Sequence, residues 1–223
     1  MNNPDHYNMK RKTIVTALLW LITGYIIAGT ATVKAQSQGP EDSLRVVNRS
    51  VMVNKQLGIV HLNEAEHAGI AWITGKAFKA GVIEFDIKGE DKFQASFVGI
   101  AYHGVNDTTY ESLYFRPFNF LAADPDRKAH GVQYIALPQY DWPKLRADFP
   151  NRYEQPMLSA VDPNQWFHVK ITVSADLVNV YINGHKKPVL TVKPLVKTGG
   201  AMLGYWVGNG SAGDWKNMKI THK

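Results

Sequence analysis

From Leu44 onward, apolar residues recur at every second position in short runs, and the runs are broken by Gly, Pro, Asn and Asp. Side chains alternate across a strand, so such runs predict half-buried strands rather than helices. The clearest case is a pair. Phe167, Val169, Ile171 and Val173 share one face of residues 166–174, and Val178, Val180 and Ile182 share one face of residues 177–183, with Ala175-Asp176 between them. This pattern predicts an antiparallel hairpin, and Asn183-Gly184 supplies a second turn. Further strands are expected over residues 81–88, 95–103, 110–118, 131–137, 202–208 and 215–221. No long stretch has helical period, and many short strands at this spacing predict an all-β sandwich of two antiparallel sheets.

Two segments depart from the pattern. Residues 36–43 are polar and read as a flexible, solvated lead-in. Residues 138–165 are rich in Pro, Asp and aromatics, including Tyr140, Trp142, Phe149 and Tyr153. A long loop carrying that many rings either serves function or covers an open end of the sandwich. Ahead of the domain, Lys10-Arg11-Lys12 precedes an apolar run from Thr13 to Val33 that ends in Val33-Lys34-Ala35. A basic head, an apolar middle and small residues before a cut describe an export signal over residues 1–35, with an uncleaved anchor as the alternative. The reading is an exported protein, periplasmic or secreted, with one domain over residues 44–223 and no membrane attachment after cleavage.

Charge and cysteine count narrow the partners. Residues 1–35 hold Lys10, Arg11, Lys12 and Lys34 against Asp5, a net +3 of the chain's +6. The remaining +3 is too little to argue for nucleic acid, and there is no arginine-rich run. With no cysteine, an exported fold must be held by its core rather than by disulfides. Nothing in the chain specifies an oligomeric state.

The stretch Phe78-Lys79-Ala80-Gly81-Val82-Ile83-Glu84-Phe85-Asp86-Ile87-Lys88 is similar to an early strand of concanavalin A-like folds. Trp166 to Lys170, Val178 to Gly184, Gly204 to Gly208 and a last strand near Trp215 follow that superfamily in order. Ser96 to Gly104 and Tyr110 to Phe120 resemble the central strands of bacterial 3-keto-disaccharide hydrolase-type domains, including a strand that ends in arginine. The resemblance implies a jelly-roll sandwich whose concave sheet faces carbohydrate, with no cofactor required. It also implies a structural calcium near the final strand, to which Asp214 would contribute.

The candidate site follows from strand parity. Glu84-Phe85-Asp86-Ile87-Lys88-Gly89-Glu90 clusters three carboxylates, yet in the resembled family this strand is structural and the chemistry lies on a later one. On the later strand Tyr110, Ser112, Tyr114 and Arg116 share one face, and Glu111, Leu113 and Phe115 share the other. A guanidinium fork beside tyrosine rings suits vicinal hydroxyls or a carboxylate, while the alternative is an arginine paired with an acid such as Asp86. Asn119, Gln133, Tyr134 and Trp206 are added as sugar-contacting candidates. An acid or base for catalysis would come from Glu111, His103 or Asp86, with Arg116 positioning substrate. His103 and His130 lack the close spacing of a transition-metal site and are read as satisfied or exposed histidines. Three functions stay open: a 3-keto-glycoside hydrolase or lyase-like enzyme, a noncatalytic lectin-like module, and an envelope interaction domain.

Overall fold

In the computed structural model, the strands anticipated from alternation pair into two antiparallel sheets. The structure describes residues 43–197 and 199–223 and the backbone of Gln36–Ser37. They belong to a single compact unit, Lys34–Lys223. The export signal and most of the polar lead-in lie outside the described residues. No helix among the described residues is long and apolar enough to cross a membrane.

The strands in chain order are β1 (Gln36–Ser37), β2 (Leu44–Val47), β3 (Val51–Asn54), β4 (Ile59–Leu62), β5 (Gly69–Ala77), β6 (Gly81–Lys88), β7 (Val98–Asn106) and β8 (Thr109–Phe115). After a 3-10 turn at Pro117–Asn119 and a short helix α1 (Pro125–Lys128) come β9 (Val132–Leu137), helix α2 (Trp142–Asp148), β10 (Glu154–Gln155) and β11 (Phe167–Val173). The chain closes with β12 (Val178–Ile182), β13 (Leu190–Val192), β14 (Met202–Val207) and β15 (Gly213–His222). One sheet runs β13-β12-β11-β6-β15-β4-β3, with β1 beside the far end of β15, and the other runs β10-β9-β8-β7-β14-β5-β2. This is the all-β sandwich that the sequence predicts.

Alternation sets which side chains meet between the sheets. Ile83, Phe85 and Ile87 of β6, Phe167, Val169 and Ile171 of β11 and Trp215 of β15 face Ile100 of β7 and Leu113 and Phe115 of β8 in one core. Each is at most 2 % exposed, and burial of this apolar surface is the main stabilising term in a chain without disulfides. The sequence hairpin is present, with Val169 opposite Ile182 and Val173 opposite Val178.

The opposite face of the β6 sheet is a ladder of matched charges. Asp86 accepts hydrogen bonds from His168 Nδ1 at 2.9 Å and Asn217 Nδ2 at 2.6 Å, and Glu84 lies 3.9 Å from Lys170 Nζ. The β6 carboxylates thus sit on a strand whose Phe85 and Ile87 build the core. Asp86 and Arg116 lie in different sheets and do not pair.

Candidate functional site

The outward face of the β8 sheet forms the floor of a groove of about 660 Å³. One cross-strand row explains it. Glu154 of β10 pairs with Gln133 of β9, Gln133 with Tyr114 of β8, Tyr114 with Gly99 of β7, and Gly99 with Trp206 of β14. Gly99 separates Tyr114 from Trp206 without a side chain of its own, and the two rings approach to 4.9 Å between centroids. A Cβ added at Gly99 would lie 2.1 Å from the Leu113 carbonyl oxygen and 2.7 Å from Tyr114 Cβ, so the approach requires glycine. Trp206 Nε1 donates to Tyr110 Oη at 3.1 Å, which fixes the indole. Burial pushes the Tyr114 hydroxyl up to about 12, so it is a neutral hydrogen-bonding group at any physiological pH.

Beyond the end of β8, Arg116 lies over this floor. Its Nη2 donates to Tyr114 Oη at 2.9 Å and Gln133 Oε1 at 3.2 Å, and its Nη1 donates to the His130 carbonyl at 3.3 Å. Asn119, in the 3-10 turn, donates to the same carbonyl at 3.2 Å. The acid beside Arg116 is Glu154. It is 3 % exposed, accepts from Arg146 Nε at 2.8 Å and Nη2 at 2.7 Å, and lies 3.7 Å from Arg116 Nη1 and 2.9 Å from His130 Nδ1. Burial lowers the proton affinity of His130. Glu154 opposes that effect, and Arg146 and Arg116 reinforce it. Nδ1 of His130 is fully buried, so its exposed ring edge faces the groove, which His130 lines.

Loops supply the walls. Asp141 caps α2 by accepting from Trp142 N at 2.7 Å, and the helix then places Trp142 and Arg146 one turn apart with the guanidinium 4.9 Å from the indole. On another loop Phe93 lies 4.5 Å beneath the Arg127 guanidinium and packs edge-on against Phe118. Trp142 is 41 % exposed and Phe93 59 % exposed, so both offer apolar faces to solvent.

The structure therefore brings Tyr114, Arg116, Asn119, Gln133 and Trp206 together. Glu111, His103 and Tyr134 form a separate cluster on the core side of the same sheet. Glu111 accepts from Tyr134 Oη at 2.7 Å and Tyr102 Oη at 3.3 Å, and faces His103 Nδ1 at 2.7 Å. His103 sits in a bulge of β7 with φ 51°, which turns its ring inward where simple alternation would send it outward. Its Nε2 lies 2.7 Å from the Lys79 carbonyl, which can only accept, so that nitrogen carries a proton. Burial disfavours the charged imidazole, but hydrogen bonding and charge from Glu111 outweigh it and the net proton affinity is raised.

Asp214, the residue expected to help hold a structural calcium, lies on β15 beside His61 and Lys88. Its two oxygens face His61 Nδ1 at 2.7 Å and Lys88 Nζ at 3.1 Å, so a cationic side chain already stands against the carboxylate. Among the described residues no group of three or more acidic, histidine or cysteine side chains is placed to hold a metal.

Phe93, Arg127, Trp142, Arg146 and Glu154 were not among the sequence candidates. Three of the five fall in the aromatic segment 138–165, whose composition marked it out.

No protein-family model and no curated protein matches the chain. Solved structures do share its fold. The carbohydrate binding module CBM66 from Bacillus subtilis superposes with TM-score 0.56 at 12 % identity, over 81 % of this chain and 96 % of that one. The exoplasmic/lumenal domain of VIP36, in a form bound to Ca2+ and Man3GlcNAc, gives TM-score 0.56 at 13 % identity over 81 % and 84 %. A Bacillus subtilis protein of unknown function with a galectin-like fold gives 0.52 at 11 % identity over 85 % and 98 %. The chain has the concanavalin A-like jelly-roll fold.

Proposed function

We propose that the groove binds carbohydrate and that the domain acts as a lectin-like module. The observation that carries this reading is the pair of exposed aromatic faces, Trp142 and Phe93, each stacked with an arginine above a rigid floor of Tyr114 and Trp206. Pyranose rings present apolar C–H faces to flat aromatic rings and hydroxyls to fixed polar groups, and the groove offers both. A carbohydrate binding module and a glycan-bound lumenal domain share the fold, which supports the reading. Residues 36–223 applied to a glycan array should bind a restricted set of oligosaccharides. Trp142→Ala and Phe93→Ala should each weaken that binding about ten-fold while the melting temperature stays unchanged. An array with no signal would leave an envelope interaction domain as the reading.

A second reading, a 3-keto-glycoside hydrolase or lyase-like enzyme, is favoured by one contact. Glu154 lies 2.9 Å from His130 Nδ1 and burial favours the neutral imidazole, whose Nε2 would be the nitrogen that accepts a proton in the groove. Turnover of a 3-keto-disaccharide that is lost in His130→Ala would establish it, and binding without turnover would remove it. We also propose that residues 1–35 are cleaved on export. N-terminal sequencing of the mature protein should begin at Gln36, and a start that retains the apolar run would make the segment an anchor.

A further inference from the structure

We infer that the groove selects glycans carrying an anionic oxygen group, a uronate carboxylate or a sulfate ester, and that Arg127 is the residue that reads it. This inference rests on the carbohydrate reading of the same groove.

The groove is lined by three guanidinium groups, and two of them share one buried acid. Glu154 takes two hydrogen bonds from Arg146 and approaches Arg116, so a single negative charge is shared by two positive ones. Arg127 differs from both, because its Nη2 donates to the Phe118 carbonyl at 2.7 Å, its Nε donates to Asn119 Oδ1 at 3.4 Å, and its plane lies on Phe93. All three neighbours are neutral. They orient the guanidinium without neutralising it, and Arg127 has no acid partner among the described residues. The other acids of the lining are committed or peripheral. Asp141 caps α2, and Asp126 is exposed to solvent on α1.

An ordinary surface arginine costs side-chain entropy when it orders around a ligand. Arg127 is already ordered, so an incoming oxyanion gains charge-assisted hydrogen bonds with little of that cost. Phe93 under the guanidinium and Trp142 at the start of α2, both lining the groove, would hold the sugar ring while Arg127 takes its acidic substituent. A neutral sugar would use the rings alone.

The test is a glycan array of uronic acid, sulfated and neutral oligosaccharides, followed by calorimetry on the strongest binder and its neutral counterpart, the methyl ester or the desulfated form. The inference expects the acidic member to bind at least about ten-fold tighter, with a preference that shrinks as salt rises from 50 to 500 mM by roughly the screening of one exposed pair. Arg127→Gln should bring the acidic-to-neutral ratio to near one, and Arg127→Lys should restore it only in part because an ammonium lacks the fork. The uronate and sulfate arms identify which oxyanion is read. Equal affinity for acidic and neutral forms, or a preference that survives Arg127→Gln, would overturn the inference and leave carbohydrate binding standing. Failure of every glycan to bind would overturn both.

Discussion

The two outward sheet faces of this molecule are built on the same pleat and carry opposite chemistry. On the β6 sheet each acid has its own base: Glu84 with Lys170, Asp86 with His168, and Asp214 with His61 and Lys88. On the β8 sheet two arginines and a histidine share Glu154, a third arginine has no acid partner among the described residues, and the floor is aromatic. Partly exposed acids that each have a basic partner are screened and self-sufficient, and they leave nothing for a ligand to complete. A groove in which positive groups outnumber the acid they share, and rings stay half-exposed, is incomplete by the same measure. The difference lies in how many partners each charge has rather than in how many charges there are.

That comparison breaks most sharply at Glu154. Glu154→Gln should destabilise the fold by about 3 kcal/mol in urea unfolding, because it leaves the buried Arg116 and the bidentate Arg146 without their counter-charge. Gly99→Ala comes next, at about 1–3 kcal/mol, since the new methyl must displace the Leu113 carbonyl or the Tyr114 backbone. It should also weaken ligand binding by separating Tyr114 from Trp206, and a stable variant with intact binding would show that the floor does not depend on that glycine. A smaller effect is a pH slope. His103 has a folded proton affinity raised above its ordinary value of 6.5, so its contribution is fully present below that pH and is lost as pH rises through the raised value. The melting temperature should therefore fall across that window, and His103→Gln should flatten the fall. On the other sheet, Glu84→Gln should cost no more than about 0.5 kcal/mol, as its pairing with Lys170 is long and solvated. A cost at Glu84 matching that at Glu154 would erase the distinction between the faces.

Legibility in the sequence followed exposure. The strands β6, β11 and β12 were readable because one face is wet and the alternation is clean, and β11 and β12 form the predicted hairpin. Strand β5 was not, although it has nine residues, because Gly69 to Ile73 are buried on both faces and no period of two survives. Helix α2 is seven residues with a proline in its first turn, too short to show helical period inside the aromatic segment. Parity along β8 placed Tyr114 and Arg116 together and set Glu111 on the opposite face, whereas a backbone bulge moved His103 to join Glu111 inside.

The sequence by itself determined the all-β class, the inward set of β6, β11 and β12, and the face of β8 that carries tyrosines and arginine, because alternation is a local property of an extended chain. Only the tertiary structure decided that Glu154, Gln133, Tyr114, Gly99 and Trp206 form one row. Their alignment depends on the register of five strands spanning 108 positions of the chain, from Gly99 to Trp206. Register between distant strands is set by the packing of the whole core, and no stretch of residues encodes it alone.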